Sequence, residues 1–301
     1  MIRRPPRSTL SSSSAASDVY KRQTLTLGTS GGTQTYNGGL TTTSVGGTVT
    51  LNGTIATSND AIVFGAVTLG SNTVVDTNAT NGTGDITIAA VIGGNNTLTL
   101  TTENNIAGAD ITASGAIAGV TTLTLASVGG TATLSADVDV TTLTVGNTVA
   151  NVAFTGNGSS VTNAVSFAND GTLTLGQDGG TQTYNAGLTT TSVGSTVTLN
   201  GTIATSNDAV VLGAVTLGSA TTVDTNATDN GADITVAAIT GGSNNLTLST
   251  GDNISGADIT ASGAISGLGN LTLADVGGTA TFSANVAVAA PVSYTHLTLP
   301  T

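Results

Sequence analysis

The chain of 301 residues contains no cysteine and no tryptophan, and aromatic residues make up 3% of it. Without cysteine there are no disulfides and no thiolate metal ligands. No apolar run reaches the roughly 18 residues that a membrane-spanning helix needs. The sequence therefore predicts that this segment does not insert into a membrane.

Positive charge is absent from most of the chain. Residues 24–290 contain no Lys, Arg or His but hold 16 of the 17 acidic residues, so their formal charge is −16. Because binding to a phosphate backbone requires Lys and Arg, we predict no nucleic-acid partner. Binding to anionic lipid headgroups is excluded for the same reason, because it too requires Lys and Arg.

Both ends of the chain differ in composition from the middle. All five basic residues, all four prolines and the single His and Met lie there. The strings MIRRPPRSTL at 1–10 and VSYTHLTLPT at 292–301 resemble translated sequencing-adapter DNA. We therefore interpret residues 1–23 and 291–301 as non-native tails and leave them out of the fold prediction.

The middle of the chain is a tandem repeat with a period of 148 residues. The string GGTQTYN at 31–37 recurs at 179–185, and GADITASG at 108–115 recurs at 256–263. A long repeat without gaps predicts a modular, elongated protein rather than one compact enzyme. We place a first repeat unit at 24–171 and a partial second unit at 172–290.

Short segments in which apolar residues alternate with threonine run through both units, for example at 25–27, 49–51 and 98–100. A period of two places Leu, Val and Ile on one side of a β-strand and Thr on the other. Gly and Asn between the segments, as at 52–53 and 93–96, tolerate positive φ and favour tight turns. The pattern predicts an all-β fold.

Two architectures fit this pattern, an elongated parallel β-helix (β-solenoid) and a row of tandem β-sandwich repeats. The apolar residues are mostly small and aliphatic, as a narrow coil interior requires. No proline-bearing linker separates the units, so we favour the solenoid. Its open ends leave strand edges unpaired, and we predict self-association through them. The scarcity of large aromatics, which usually fill a sandwich core, also favours the solenoid. The phenylalanines of residues 24–290 are Phe64, Phe154, Phe167 and Phe282.

The sequence pattern of residues 96–101, 105–113 and 269–273 resembles that of bacterial β-strand-repeat exoproteins. This group is similar to filamentous-haemagglutinin-type adhesins and autotransporter passengers. The resemblance extends over nearly all of residues 24–290. It implies a right-handed parallel β-helix, export to the surface of a Gram-negative cell, and a role in adhesion or in a surface layer. Host surfaces, glycans or a surface layer are the contacts that such a role requires.

Eight aspartates recur between the units and are candidates for chemistry. A polysaccharide-active β-helix enzyme, which is the enzymatic alternative, needs two carboxylates with shifted pKa values. Such sites also use Arg, Lys or His, which residues 24–290 lack. We interpret the aspartates as turn formers and assign no catalytic or cofactor-binding residue. They are Asp60, Asp76, Asp85 and Asp110, with Asp208, Asp224, Asp233 and Asp258 in the second unit.

Calcium binding and ice binding are two further alternatives. Residues 102–105 and 137–139 offer oxygen ligands, but neither a calcium-binding nonapeptide nor an EF-hand loop occurs. We therefore interpret them as solvated turns and assign no metal ligand. The Thr-x-Thr pattern, as at 131–133 and 279–281, is spaced unevenly, and an exposed strand face accounts for it.

Taken together, these observations predict a non-enzymatic structural or adhesive segment of a large bacterial repeat protein. We expect the protein to be secreted or exposed at the cell surface. The segment would act by mechanical reach and by weak, repeated polar contacts.

Overall fold

The structure is a computed structural model, and it describes residues 23–103, 105–290 and 292–294. Within these residues every element is a β-strand, every strand pairing is parallel, and the strands stack in about 12 turns. The predicted β-solenoid is therefore confirmed. The β-sandwich alternative is wrong, because the sheets of such a sandwich are antiparallel. Nearly all of the two tails lies outside the described residues.

The strands are numbered in chain order. They are β1 (Leu25–Leu27), β2 (Thr33–Tyr36), β3 (Leu40–Thr41), β4 (Val49–Thr57), β5 (Ile62–Asp76), β6 (Ile86–Ile92), β7 (Leu98–Thr101), β8 (Ile111–Ala113), β9 (Ile117–Leu134), β10 (Val138–Phe154), β11 (Ser160–Val161), β12 (Val165–Ser166), β13 (Leu173–Leu175), β14 (Thr181–Tyr184), β15 (Leu188–Thr189), β16 (Val197–Ala204), β17 (Val210–Asp224), β18 (Ile234–Thr240), β19 (Leu246–Ser249), β20 (Ile259–Ala261), β21 (Ile265–Leu268), β22 (Leu271–Ala274), β23 (Ala280–Phe282), β24 (Val286–Val288) and β25 (Ser293–Tyr294).

Each complete coil contributes to three columns of paired strand segments, A, B and C, in that order along the chain. Column A aligns Leu25, Val49, Val67, Val91, Ile117 and Val138 and continues from Asp139 through Ser160, Thr183, Ala204, Asp224, Ser249 and Ala274. Column B aligns Thr33, Thr54, Val74, Thr99, Thr124 and Thr144. Strands β10 and β12 are not paired with each other, and beyond this step column B aligns Val165, Leu188, Val210, Ile234, Ile259 and Ala280. Column C aligns Leu40, Ile62, Ile86, Ile111, Ala132, Val152, Leu173, Val197, Val215, Ile239, Ile265 and Val286.

One hydrophobic core runs inside the three columns and holds Leu, Val and Ile side chains from both repeat units. Strand β7 is typical, because Leu98 and Leu100 are buried while Thr99 between them is partly exposed. The predicted alternation of aliphatic residues inside and threonine outside is therefore confirmed. Phe64, Phe154 and Phe167 are buried in this core.

The corners between columns are tight bends. At the bend of β4, Gly53 has a φ of +64°, and a Cβ there would lie 2.3 Å from the Thr29 carbonyl oxygen. Only glycine combines this φ with such a close approach of two backbones. Asn59 and Asn95 also have positive φ, which confirms the turn-forming role predicted for Asn. Because hydrogen bonding continues past such bends, β9 reaches 18 residues, longer than the segments expected.

Threonine hydroxyls satisfy backbone groups inside equivalent corners of the two repeat units. Thr77 Oγ1 donates to the Gly84 carbonyl at 2.6 Å, and Thr225 Oγ1 donates to the Ala232 carbonyl at 2.8 Å. Both threonines are fully buried. A buried carbonyl without a partner is costly, so these hydroxyls allow the chain to turn without exposing its core.

The second repeat unit does not lie directly above the first. Leu25 stands in column A, whereas its equivalent Leu173, 148 residues later, stands in column C. Likewise Leu40 of column C is repeated by Leu188 of column B. Counting coils along column A, the period spans six coils and two further sides. Equivalent surfaces therefore lie on different sides of the rod, separated by about 32 Å along its axis at roughly 4.8 Å per coil.

Candidate functional site

Eleven of the 16 acidic residues in 24–290 form two ridges on the solenoid. The first repeat unit carries its ridge on the corner between columns B and C, and the second carries the equivalent ridge on the corner between columns A and B. The two ridges lie on different corners because the repeat period is offset by two sides of the rod. The first ridge consists of Asp60, Asp76, Asp85, Glu103 and Asp110. The second consists of Asp208, Asp224, Asp229, Asp233, Asp252 and Asp258.

Several carboxylates of these ridges join one coil to the next. Asp85 Oδ1 accepts the backbone N–H of Asp110 at 2.9 Å, and Asp110 Oδ1 accepts that of Thr131 at 2.7 Å. The second unit repeats the arrangement, because Asp233 Oδ1 accepts the N–H of Asp258 at 2.8 Å. A hydrogen bond from an N–H to an ionised carboxylate is stronger than one between neutral groups. The structure thus gives these carboxylates a structural use.

Neutral side chains make the same bridge elsewhere. Asn72 Oδ1 accepts the N–H of Thr97 at 3.0 Å, and Asn151 Oδ1 accepts that of Thr172 at 2.9 Å. We call these contacts, with those of Asp85, Asp110 and Asp233, the Asx bridges. An oxygen at the start of one strand segment satisfies a backbone donor one coil further on, which ties neighbouring coils together at the corner.

Asp76 is the most perturbed acid. It is 9% exposed and its Oδ1 accepts the N–H of Asn78 at 2.8 Å. Burial raises the pKa of Asp76 to about 6, and the nearby Glu103 carboxyl adds to the rise, while the bond from Asn78 lowers it. Shifted carboxyl pKa values occur both at functional sites and at buried structural positions. In the second unit Gly251 replaces Glu103, so this pair of carboxyls is not repeated.

The oxygen ligands considered for calcium have other contacts. Asp137 Oδ1 accepts the N–H of Gly158 at 2.7 Å, and the hydroxyl of buried Thr102 donates to the Ser127 carbonyl at 3.3 Å. Asp139 is exposed on column A. Asn104 lies outside the described residues. Among the residues that the structure describes, no group of three or more His, Cys, Asp or Glu side chains is placed to hold a metal ion.

Outward threonines align although their spacing in the sequence is uneven. Coils differ in length, from 18 residues between Val197 and Val215 to 26 between Ile239 and Ile265, and the turns absorb the difference. The result is a file of hydroxyls along column C that sequence spacing does not reveal. We call it the threonine file: Thr87, Thr112, Thr133, Thr174, Thr198, Thr216, Thr240 and Ser266, interrupted by Ala153.

Paired threonines are rarer than single ones on this column. The two outward positions of a segment are both threonine at 131–133, 172–174 and 196–198, with Asn151 and Ala153 interrupting the series. Every member of the threonine file is at least partly exposed. The column therefore offers a line of hydroxyl groups at intervals of about 4.8 Å, with uncharged neighbours over most of its length.

A polar groove lies on the corner between columns A and B of the first four coils. It is lined by Ser30, Gly31, Ser71, Asn72, Asn96 and Thr97, among others. These side chains are uncharged hydrogen-bonding groups, which suit a neutral polar ligand better than an ion. In the second unit Ala220 replaces Asn72 and Asp178 replaces Ser30, so the equivalent corner differs in chemistry.

The fold and these surfaces define the class of the protein as a parallel β-solenoid with a tandem repeat. The part of the chain that the structure describes contains no helix long and apolar enough to cross a membrane. No family model, no curated protein and no solved structure matches this chain.

Proposed function

We propose that this chain is a structural or adhesive segment of a large exported bacterial repeat protein that works at or outside the cell surface. The observation that carries the proposal is the continuity of the solenoid across the repeat boundary. Strand β13 at the start of the second unit pairs with β10 of the first, and one core passes through both. A solenoid of this kind grows in length by adding residues without needing a new domain interface.

The outer surface supports the adhesive part of the proposal. The threonine file and the polar groove present many similar hydroxyl and amide groups and few charges. Each such contact is weak alone, but contacts that are linked on one rigid support bind with a combined strength far above that of one. The formal charge of −16 on residues 24–290 disfavours adsorption to phosphate-rich surfaces and favours neutral targets such as glycans.

The Asx bridges support a structural role for the acids that an enzymatic reading would use. A catalytic carboxylate acts on substrate atoms through its free oxygens and a shifted pKa. Here Asp85, Asp110 and Asp233 each hold a backbone donor of the next coil. The most shifted carboxyl, Asp76, is buried and holds the N–H of Asn78.

Adhesion is tested with microspheres that carry the chain at high and at low density, placed on a panel of neutral and acidic glycans and host matrix proteins. We expect retention on at least one neutral target, with a steep loss at low density because the contacts act together. A variant with Thr133→Val, Thr174→Val, Thr198→Val and Thr216→Val keeps the strand shape and removes four hydroxyls of the threonine file. It should hold less well, whereas Thr77→Ser, inside a corner, should not change retention.

Three outcomes contradict the proposal. One is the absence of retention on every target at both densities. Another is cleavage of a polysaccharide by the chain that is lost in Asp110→Asn or Asp258→Asn, which indicates the β-helix enzyme. The third is thermal hysteresis of freezing, which indicates ice binding. Location is tested separately, because antibodies against the chain should label intact cells of the source organism without permeabilisation.

A further inference from the structure

The same sequence is buried in the second repeat unit and open in the first. Residues 33–36 and 181–184 both read TQTY. Tyr184 is fully buried and Gln182 is 1% exposed, whereas Gln34 is exposed and Tyr36 only partly buried. Since the local sequence is identical, the difference arises from what lies on the side of the preceding coil.

In the second unit a preceding coil covers this sequence. Strands β13, β14 and β15 pair backwards with β10, β11 and β12 respectively. The N–H groups of Thr181 and Thr183 donate to carbonyls of that coil at 2.7 and 2.9 Å. Their equivalents β1, β2 and β3 pair, among the described residues, only with strands of the following coil.

Two aromatic side chains of the preceding coil complete the cover. The ring of Tyr184 meets Phe154 and Phe167 edge to face, with centroids 6.3 and 6.4 Å away. Gln182 Nε2 donates to the Phe154 carbonyl at 2.9 Å. Such aromatic pairs contribute beyond the area that they bury, so the covering coil has a specific chemistry.

In the first unit the side chain of Gln34 makes one of the contacts that the preceding coil makes in the second unit. Gly28 donates its N–H to Gln34 Oε1 at 2.7 Å, whereas its equivalent Gly176 donates to the Phe154 carbonyl at 3.0 Å. The hydroxyl of Tyr36 also donates to Gln34 Oε1, at 2.9 Å. The side chain thus satisfies a donor that a neighbouring coil satisfies in the second unit.

The end formed by β1, β2 and β3 therefore has a known complement. We propose that it is a docking surface for one coil of this protein's own repeat, with the chemistry of residues 150–171. The occupant must supply the backbone acceptors of three strands and the two rings that correspond to Phe154 and Phe167. The occupant is a single coil, and the described strands of a second chain stacked directly on this end do not supply that coil.

The opposite end of the rod shows why direct stacking falls short. Strands β23 and β24 repeat the sequence positions 132–134 and 138–140, which in the first unit are followed by Val152–Phe154 and Ser160–Val161 of the next coil. Strands β1, β2 and β3 at the amino-terminal end repeat the sequence of β13, β14 and β15, which in the second unit come after that next coil. The described strands of two chains placed end to end would thus lack one coil, the equivalent of the one that residues 150–171 form.

The segment at the equivalent position in the sequence, residues 2–23, differs in sequence from residues 150–171. Residues 2–23 precede Thr24 as residues 150–171 precede Thr172, yet Pro6 and Val19 stand where the repeat has Phe154 and Phe167. Proline lacks the N–H that a strand donates. A coil of the repeat's own type can therefore be grafted here with an unchanged junction, because TLTLG follows in both places.

The test replaces residues 2–23 with the sequence of residues 150–171 and measures nitration of each tyrosine by peptide mass spectrometry. Tyr184 is the protected reference, since burial raises the pKa of its hydroxyl well above the ordinary value. Tyr294, which is 56% exposed, is the reactive reference. We expect nitration of Tyr36 to be clear in the parent chain and to fall to the level of Tyr184 in the graft.

The matched control is a graft in which the two added phenylalanines, at positions 6 and 19 of the new sequence, are serine, while Phe154 and Phe167 stay in place to cover Tyr184; it should leave Tyr36 reactive. A synthetic peptide of residues 150–171, added to the parent chain, should protect Tyr36 in proportion to its concentration. Circular dichroism verifies that each protein remains β-structured. The proposal is overturned if Tyr36 stays as reactive as Tyr294 in the graft, or if it is already protected in the parent chain.

Discussion

The two repeat units carry almost the same sequence in different surroundings, and the differences between them show what neighbours contribute. Tyr36 and Tyr184 have the same local sequence but different burial. Asp76 and Asp224 end equivalent strands, yet only Asp76 faces a glutamate. In a solenoid each coil contacts only the coils above and below it, so a residue's environment depends on those two coils.

The largest expected difference concerns the two tyrosines. Tyr184→Ala removes a fully buried ring between Phe154 and Phe167, and we expect it to cost about 3–5 kcal/mol of unfolding free energy. Tyr36→Ala removes a ring at the end of the rod and should cost less than about 1 kcal/mol. Urea unfolding followed by circular dichroism measures both. Equal losses would show that the end coil is as well covered as the internal one.

The Asx bridges should behave alike in the two units. Asp85→Ala leaves the N–H of Asp110 without its acceptor, and Asp233→Ala does the same to Asp258. We expect each to cost about 1–3 kcal/mol, with faster hydrogen exchange at the orphaned amide. Asp85→Asn and Asp233→Asn keep an oxygen acceptor and are the matched controls. A loss in one unit alone would mean that the bridge depends on the side of the rod that carries it.

The smallest expected effect is the pH dependence that Asp76 gives to the first unit. The pKa of Asp76 rises from 3.8 to about 6 on folding, so between these pH values the folded state binds more protons than the unfolded state. Stability must therefore fall as pH rises from about 4 to about 6, and the penalty is fully present above that range. Asp76→Asn should remove this slope. It should raise the unfolding free energy at pH 7 by about 1–2 kcal/mol, less than the roughly 3 kcal/mol that a pKa difference of about two units represents, because the amide oxygen accepts the N–H of Asn78 more weakly than the carboxylate does.

Glu103→Gln is the control for that measurement. It removes the charge that adds to the shift but leaves Asp76 buried, and burial is the main cause of the raised pKa. The slope should therefore become shallower without disappearing. Denaturant titrations at intervals between pH 4 and pH 7 resolve the three proteins, and an unchanged slope in Asp76→Asn would assign the pH dependence to another group.

The sequence predicted the solenoid because the information is local. Alternation such as Leu98, Thr99 and Leu100 determines which side chains face inward, and Gly53 or Asn59 marks a bend with a positive φ, which Gly and Asn adopt more readily than other residues. The threonine file and the offset of the repeat could not be predicted, since both depend on how many residues each turn absorbs. Coil lengths of 18 to 26 residues follow from turn conformations that no periodic pattern encodes.

The candidate surfaces were predicted less well than the fold. Asp85 and Asp110 were recognised as turn residues, but their bonds to the next coil join positions 21 to 25 residues apart. Whether a carboxylate oxygen reaches such a donor depends on the stacking register, which the sequence of one coil does not contain. The burial of Tyr184 has the same origin, because Phe154 and Phe167 belong to a coil with an unrelated sequence.

The period of six coils and two sides has a consequence for any longer chain that keeps it. Three successive repeats fill 20 coils, about 96 Å of length at roughly 4.8 Å per coil, before a given patch returns to its starting orientation. Successive copies of that patch would follow a helical path around the rod, each displaced by two of its three sides from the one before. Such a filament has no front or back, and a target approaching from any direction meets one copy in every three.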